Sequence, residues 1–498
     1  MHERTPPRMF LPIVAAAVFT VVLTDNVVNI LLPLLSTTFN ASVAHASWAI
    51  TAYALTLAIG VPLYGRLGDF WGIRRVFTLT FPLYAAGSLV AALAPSLLVL
   101  IAGRVVQATG AAGIPAVATV AVAKMLPPGR RGPAFGIIAS SVGVGAAAGP
   151  IVGGFVAQYL GWRVIFYGLA GLALVLLAAV RRGLPRETSK RPRDFDLPGG
   201  LLIGTAAAFA LMAVTNLQSY GAASPLTWGS LALALAGGGG FAWRIRTADA
   251  PFVPAALFRN RSYVTVLGLA LVMMCAIFGM LVVVPLLLVQ AGGTSSAIAG
   301  LVLTPGALVM ALMSPRAGRL SDAWGPKPLI LSGLAFAALG ALARSTFAGG
   351  SSLYVAGAAI LAVDVGLGLL NAPTTNAAAG TLAQEQTGAG LGIFRSAFYL
   401  GAGAGPAVFG ALVAAGPVTK TSALNPLYHQ HAIAFSDTFL AIAAVAVLAL
   451  VVAGVGLRPG APGARRRSEQ RDEVPSEDRG LGEAHPVERV RQRRGAPS

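Results

Sequence analysis

The sequence predicts an all-α polytopic membrane protein with fourteen transmembrane helices. Three observations carry this prediction: the 498 residues are 56% hydrophobic, only 11% of them are charged, and the mean hydropathy is +0.74. About a quarter of the residues in a typical soluble domain are charged, and a soluble chain of this length needs polar side chains to cover its surface. The composition therefore excludes a soluble multidomain enzyme and a body that is intrinsically disordered.

Fourteen apolar stretches are long enough, at about 20 residues each, to cross the hydrocarbon core of a bilayer. The first stretch is too long for a cleaved signal peptide, and no small-residue cleavage site follows it. The two stretches between 198 and 244 are the least hydrophobic of the set. The predicted spans are 9–34, 46–65, 76–95, 97–123, 133–157, 161–181, 198–218, 226–244, 262–290, 296–316, 328–347, 352–380, 388–416 and 436–457.

The basic residues fall mainly on one side of the predicted membrane. The N-terminus and the loops after spans 2, 4, 6, 8 and 10 hold most of the lysines and arginines, whereas the alternate loops hold only Arg163, Arg344 and Lys420. The positive-inside rule then predicts that both termini are cytoplasmic. We expect a multi-pass protein of the plasma membrane, the inner membrane of a bacterium. Because this asymmetry and a basic tail account for the formal net charge of +18, no nucleic-acid partner is predicted.

Two motifs occur twice along the chain, at nearly the same separation. The loops after spans 2 and 10 read G-R-L-G-D-F-W-G (65–72) and G-R-L-S-D-A-W-G (318–325), and spans 5 and 13 each hold a glycine-rich run that ends in Gly-Pro. A duplicated six-span unit explains the recurrence, and six-span halves around a midplane cavity are typical of secondary transporters. The predicted segments are a cytoplasmic N-terminus (1–8), a six-helix bundle (9–181), two inserted transmembrane helices (198–244), a second six-helix bundle (262–457) and a disordered cytoplasmic tail (458–498).

These motifs resemble those of the major facilitator superfamily, and in particular its fourteen-span drug/proton antiporters. The loop at 65–75 resembles the family's signature loop, 104–110 its span-4 motif and 145–154 the span-5 motif of its antiporters, while 24–33 is similar to the span-1 motif of the fourteen-span branch. The resemblance covers roughly residues 10–457 and implies the major facilitator fold: two six-helix bundles plus two inserted helices.

Within that branch, several stretches look closest to the tetracycline-efflux proteins. Those proteins are expected to carry an acidic residue inside the span-5 motif and another in span 13. Here the matching stretches, 146–148 and 401–405, contain only alanine and glycine. The resemblance therefore does not imply the exchange of a metal–tetracycline complex.

Charged residues inside membrane spans are costly and usually functional, and few occur here. Asp25 lies in the middle of span 1 with Asn29 one turn later, and Arg104 lies in span 4 with Gln107 one turn later. A cavity-facing carboxylate that gains and loses a proton suits proton coupling, so Asp25 and Arg104 are the predicted coupling residues. A permanent structural ion pair between the two is the alternative.

Spans 12 and 13 hold a second acid and a second arginine, Asp364 and Arg395, which could form a similar pair. Here a coupling role and a structural role are equally open. Polar side chains in the spans could face a substrate cavity or could bond neighbouring helices. The candidate cavity residues are Asn29, Gln107, Asn371, Thr374 and Asn376.

The repeated loop is expected to act as a latch at the cytoplasmic end of the bundles. Asp69 can accept charge-assisted hydrogen bonds from nearby arginines or cap the start of span 3, and a latch there would stabilise an outward-open state. A topology anchor is the alternative, but it explains neither the glycines nor the repeated Asp322. The predicted gating residues are Gly65, Arg66, Gly68, Asp69, Gly72, Arg74, Arg75, Gly318, Arg319, Asp322 and Gly325.

Span 5 carries small residues at helical spacing. Gly145, Gly149 and Gly153 form one stripe that lets a neighbouring helix approach closely, and Pro150 removes one backbone hydrogen bond and so permits a bend. In an antiporter this helix would seal or hinge the cavity, and plain tight packing is the alternative. The residues of the motif are Gly145, Gly149, Pro150, Gly153 and Gly154.

Together these patterns predict a monomeric, proton-driven exporter of hydrophobic or amphipathic small molecules, such as drugs or antibiotics. An exporter of a lipid or metabolite, or an importer, on the same fold is the alternative. The sequence shows no cluster of catalytic side chains, no P-loop and a single cysteine, Cys275. We therefore expect no enzyme activity, cofactor or metal site, and only the small molecule, protons and the lipid bilayer as partners.

Overall fold

The computed structural model describes residues 9–185, 196–290, 293, 296–347, 353–415, 422–428 and 432–457. The predicted N-terminal segment (1–8) and the predicted tail (458–498) lie outside the described residues. No strand occurs in the described part of the chain, which confirms the all-α prediction.

The described residues contain fourteen helices of 20 residues or more, which follow the predicted spans in order. Short helical segments connect some of them, at Val43–Ala46, Pro128–Arg130, Ala256–Arg259 and Gln384–Gln386. The long helices are α1 (Phe10–Thr38), α2 (Trp48–Phe70), α3 (Ile73–Ala92), α4 (Leu97–Met125), α5 (Arg131–Tyr159), α6 (Trp162–Gly183), α7 (Leu197–Tyr220), α8 (Pro225–Thr247), α9 (Arg261–Gln290), α10 (Ser296–Trp324), α11 (Pro326–Thr346), α12 (Leu353–Gly380), α13 (Thr387–Ala415) and α14 (Ile433–Gly456).

Among the described residues, 12 helical segments are long and apolar enough to cross a membrane. The two long helices outside this set are α8 and α10. The polar start of α8 and its run of four glycines lower its hydropathy, and the side chains of the first residues of α10 lie outside the described part. The number of fourteen membrane crossings therefore stays a prediction.

Glycine determines where two equivalent helices begin. Gly72 and Gly325 occupy the same position of the repeated loop motif, and each lies directly before a helix. Their backbone φ angles are positive, 81° for Gly72 and 83° for Gly325. Residues with a Cβ rarely adopt this conformation. The motif therefore needs glycine at these positions to turn the chain sharply from α2 into α3 and from α10 into α11.

The helix contacts follow the repeat that the sequence motifs predict. Within the first six helices α3 packs on α4, α1 on α5, α2 on α4 and α3 on α6, and the helices eight positions later repeat the pattern as α11 on α12, α9 on α13, α10 on α12 and α11 on α14. The most extensive contacts between the two sets are also equivalent: α5 packs on α10, and its equivalent α13 packs on α2. This exchange is the arrangement of two copies of one unit related by an approximate two-fold axis.

The intervening pair, α7 and α8, packs on itself and against one of these two seams. α7 contacts both α2 and α13. The start of the pair is fixed by Asp196, which accepts hydrogen bonds from the Arg244 Nε (2.6 Å) and from the backbone N–H groups of Gly199 and Phe252 (both 3.0 Å). Although burial alone would raise the pKa of Asp196, these bonds outweigh it and lower that pKa below its ordinary value. Asp196 thus joins the two helices to the segment that leads into α9.

Candidate functional site

A cavity of about 240 Å³ lies between α1, α2, α4, α7 and α13. It is therefore built from both repeats and from the inserted pair. Most of its lining is apolar, with a few polar groups, which is the usual composition of a small-molecule site. The lining residues are Asp25, Asn29, Ile50, Tyr53, Ala54, Leu57, Ala58, Arg104, Leu211, Tyr399, Leu400, Ala402 and Gly403.

Asp25 lines this cavity, and one of its carboxylate oxygens has no hydrogen-bond partner. That oxygen, Oδ1, is buried. Asn29, one turn later on α1, lines the same cavity. Within the described residues, the ion pairs closer than 4.0 Å do not include one between Asp25 and Arg104. The cavity brings the two predicted coupling residues together, but without the direct contact of a permanent ion pair.

Arg104 is held in place by neutral partners rather than by Asp25. Its Nε donates to the Ala49 carbonyl oxygen (3.1 Å), its Nη1 donates to the Gln107 Oε1 (2.6 Å), and its Cζ lies 3.8 Å from the centre of the Tyr53 ring. Gln107 in turn donates to the Ser88 Oγ (2.7 Å). Gln107 is thus fully buried behind Arg104. It supports the arginine and does not line the cavity.

Three tyrosines around the site were not among the sequence candidates. Tyr53 and Tyr399 line the cavity from α2 and α13, and the buried hydroxyl of Tyr53 lies near the Asp25 carboxylate. Tyr84 hydrogen-bonds Thr24, the residue that precedes Asp25. Tyrosines within apolar helices were the available signal, but their spacing alone does not show which face meets a cavity.

Asp364 and Arg395 do not form an ion pair within the part of the chain that the structure describes. Asp364 is only 3% exposed, and its carboxylate lies against Gly306 of α10. The Cζ of Arg395 lies 5.3 Å from the Phe398 ring centre, and its Nε has no hydrogen-bond partner. Arg395 is one turn from Tyr399 and therefore near the cavity, whereas Asp364 lies between α10 and α12, away from it.

Asp69, at the end of α2, accepts hydrogen bonds from the start of α13. Its two carboxylate oxygens accept hydrogen bonds from the backbone N–H groups of Gly388 (2.9 Å) and Ala389 (3.0 Å). Its Oδ1 also lies 2.6 Å from the Lys124 Nζ, and its Oδ2 lies 3.7 Å from the Arg66 Nη1. The free N–H groups at a helix N-terminus favour a carboxylate. We call this contact the Asp69 latch.

The second copy of the motif makes the equivalent contact with the other repeat. Asp322 of α10 accepts from the backbone N–H of Gly132 at the start of α5 (3.0 Å), and the Asn376 Nδ2 donates to its Oδ1 (2.9 Å). We call this contact the Asp322 latch. Both latches join opposite repeats at one end of the bundle, the end that carries the basic loops.

The helices at both latches touch backbone to backbone. A Cβ at Gly65 would lie 2.7 Å from the Gly388 carbonyl oxygen, and a Cβ at Gly318 would overlap the carbonyl oxygen of Gly132. Glycine is therefore required at Gly65 and Gly318 by the close approach of the two repeats.

Several predicted gating residues have other roles. Asp69 caps α13 rather than α3, because α13 is the helix whose N-terminus the fold brings to it. Arg74 donates to the Arg181 carbonyl oxygen (2.5 Å), and Arg75 and Arg319 are exposed. Gly68 supplies a carbonyl oxygen to the Lys124 Nζ (3.4 Å). Lys124 is the principal basic partner of Asp69 and was not among the predicted gating residues.

The glycine stripe of α5 faces α1, the helix that carries Asp25. A Cβ at Gly145 would lie 3.1 Å from the Phe19 carbonyl oxygen, a Cβ at Gly149 would overlap Asn26, and a Cβ at Gly153 would lie 3.2 Å from the Val27 side chain. Gly154 has open space around it. Pro150 lies inside the helix, as predicted. The stripe therefore packs α5 directly on the helix that carries the candidate coupling acid.

The remaining cavity candidates lie on α12, where Asn376 and Thr374 contact neighbouring helices and Asn371 is buried. Asn376 belongs to the Asp322 latch and donates also to the Ser321 Oγ (3.1 Å). Thr374 is fully buried, with its hydroxyl 3.8 Å from the Met273 sulfur. Asn371 is 4% exposed, and its backbone oxygen accepts from Thr375 (2.8 Å). None of these residues of α12 lines the cavity described above.

The chain is similar to known transporters along nearly its whole length. It is 26% identical over 449 residues to the riboflavin transporter RibZ of Clostridioides difficile, an alignment that covers 88% of this chain and 95% of that protein. It is 29% identical over 404 residues to the multidrug resistance protein Stp of Mycobacterium tuberculosis (80% of this chain, 74% of Stp). The tetracenomycin C resistance and export protein of Streptomyces glaucescens is also 29% identical, over 408 residues (80% and 75%).

The fold is shared with a solved structure, the human organic anion transporter MFSD10 (TETRAN), with a TM-score of 0.65 at 17% sequence identity, over 90% of this chain and 100% of MFSD10. The model of the Major Facilitator Superfamily matches residues 14–406 and 266–495. The chain is therefore a multi-pass membrane transporter, not an enzyme, and it belongs to the Major Facilitator Superfamily.

Proposed function

We propose that the chain exports hydrophobic or amphipathic small molecules, among them drugs or antibiotics, in exchange for protons. The observation that carries the proposal is the unpaired carboxylate of Asp25 in a largely apolar cavity shared by both repeats. A carboxylate without a fixed ion-pair partner can take up a proton, and its charge then no longer attracts a cationic or polar group of the substrate. Proton and substrate would thus compete for one site.

Closure of one end supports alternating access as the mechanism. Both latches and the glycine contacts close the basic end of the bundle, which the positive-inside rule places in the cytoplasm. In this outward-facing state a proton from outside would reach Asp25 and release the substrate. Opening of the two latches would then expose the protonated site to the cytoplasm, where the proton leaves and the next substrate binds.

The proton gradient supplies the work of export, without a cofactor. Each charge that crosses a potential of 100 mV provides about 2.3 kcal/mol. We place the functional monomer in a bacterial plasma membrane, with fourteen spans and two inserted helices between the six-helix bundles. The relatives that confer multidrug and tetracenomycin resistance favour a drug or antibiotic as the substrate.

The test of this proposal is a susceptibility profile. A host that lacks its own drug pumps should become resistant to one or more hydrophobic antibiotics or dyes when it expresses the chain, and the same host with the Asp25→Asn variant at matched expression should stay sensitive. A profile in which wild type and variant protect equally, or in which neither protects, would contradict the proposal.

A metabolite substrate is the second candidate, because the similarity to the riboflavin transporter RibZ covers 88% of the chain. The same cells distinguish the two candidates. Accumulation or loss of riboflavin that depends on the chain, with an unchanged drug profile, would favour the metabolite.

The topology gives a separate prediction. A reporter fused at position 222, between α7 and α8, should report the outside, and a reporter fused at position 470 should report the cytoplasm, because the basic loops set the orientation. Paired phosphatase and fluorescent-protein fusions at both positions measure this. Two reporters on the same side would show that α7 does not cross the membrane or that the assignment of the spans is shifted.

A further inference from the structure

The two seams between the repeats differ, although the repeats are equivalent. Along the seam of α5 and α10, a close contact recurs at each turn between 132 and 140: Gly132 packs on Gly318, Gly136 packs on Ser314, and Ser140 donates to the Ala311 carbonyl oxygen (2.6 Å). Along the seam of α2 and α13, the close contacts of Pro62 and Gly65 with residues 388–392 lie near the basic end. Beyond them the cavity separates the two helices.

α7 lies against the seam of α2 and α13, where the two helices diverge. Its Gly204 packs on the backbone of Ile59 in α2, where an added Cβ would lie 2.8 Å from the carbonyl oxygen. Ala207 and Ala208 are buried against Ala58 of α2 and Leu400 of α13. One turn further, Leu211 reaches the cavity itself and contacts Gly403 of α13.

Leu211 therefore occupies a position that neither repeat provides. It is the one cavity-lining residue that comes from the inserted pair. Its partner Gly403 leaves room for it, because a Cβ at Gly403 would overlap the Leu211 side chain. The opposite seam, of α5 and α10, is closed by direct helix contact and needs no third helix.

We propose that Leu211 is a specificity-determining residue, through which the inserted pair forms one wall of the cavity and limits the size of the hydrophobic molecule that fits. The inference rests on the proposed function and deepens it by naming the wall that selects among substrates. A side chain that fills or opens an apolar pocket discriminates between ligands by about tenfold or more. The inserted pair is thus part of the binding site and not only a connection between the repeats.

The first experiment uses two fluorescent probes, ethidium and the bulkier doxorubicin, with export measured from cells that express matched amounts of each variant. Leu211→Trp should lower the ratio of doxorubicin to ethidium export by about tenfold, and Leu211→Ala should raise it. Leu201→Trp is the matched control on α7, since Leu201 is 42% exposed and does not line the cavity; its ratio should equal that of wild type. Unchanged ratios in both Leu211 variants would overturn the inference.

A second experiment does not depend on the substrate. In a Cys275→Ala background, which removes the only native thiol, a charged, water-soluble methanethiosulfonate reagent should label Leu211→Cys but not Ala213→Cys, because Ala213 of α7 is buried and does not line the cavity. Failure to label Leu211→Cys would contradict its place in the cavity wall. If the wild-type chain exports neither probe nor any compound of the susceptibility profile, that result contradicts the proposed function. The labelling experiment then still tests whether Leu211 lines the cavity.

Discussion

Asp25→Asn should abolish uphill export while substrate binding persists. The asparagine keeps the size of the side chain but fixes it in a neutral, protonated-like form, so binding of the substrate can no longer expel a proton. A proton that crosses about 100 mV sustains a substrate gradient of roughly 50-fold, and this gradient should fall to the level of passive diffusion in the variant. Accumulation in everted vesicles measures the gradient, and binding to the purified protein is measured in parallel.

Arg104→Ala should stop uphill export as well. The variant removes the positive charge that faces the cavity and leaves the Gln107 Oε1 and the Ala49 carbonyl oxygen without their donor. Asp364→Asn is the matched control for Asp25→Asn, because it neutralises a buried acid that does not line the cavity. Should Asp364→Asn lose uphill export and Asp25→Asn retain it, the coupling acid would lie in the second repeat and Asp25 would be structural.

Asp69→Asn should impair transport more than Asp322→Asn. Asp69 accepts two backbone N–H groups of α13 and lies against Lys124 and Arg66. In addition, only the first loop carries the complete arginine set of the motif. A hydrogen bond to a charged group contributes roughly 1.5–3 kcal/mol, so loss of the charge at Asp69 should shift the balance between the two end states by at least about tenfold. Export rates at matched expression measure the loss of function.

The end-state balance is measured separately, by the accessibility of single cysteines placed at the basic end in the Cys275→Ala background. Asp69→Asn should raise labelling from the cytoplasmic side. Arg75→Gln is the matched control, because Arg75 is a charged residue of the same loop motif but is exposed. Export by this variant should be normal. Normal export by Asp69→Asn as well would reduce the loop to a topology signal.

The parts of this structure that local sequence determines were predictable. The apolar stretches predicted the order of the helices, because each stretch forms a helix from its own residues. The repeated motif predicted a duplicated six-helix unit, because both copies carry the same sequence pattern. The glycine stripe of α5 was likewise recognised from its spacing, since one helix face is set by local periodicity.

The contacts between distant helices were not predictable in the same way. Asp69 and Gly388 are 319 positions apart in the sequence, and neither segment contains a pattern that predicts contact with the other. Lys124, Tyr53 and Asp196 were missed for the same reason: each acts through a partner on another helix. In membrane helices the apolar residues surround the whole helix, so periodicity does not show which face is buried. Whether Asp364 and Arg395 form a pair likewise depends on the placement of their helices, which sequence spacing does not determine.

The most direct test of the central claim, that Asp25 exchanges a proton for the substrate, is proton release on substrate binding. The purified wild-type chain in weakly buffered detergent solution is mixed with an exported compound identified by the susceptibility profile, and a pH-sensitive dye records protons. We predict release by wild type and by Asp364→Asn, and no release by Asp25→Asn at the same substrate occupancy. Equal proton release by Asp25→Asn and wild type would contradict the account.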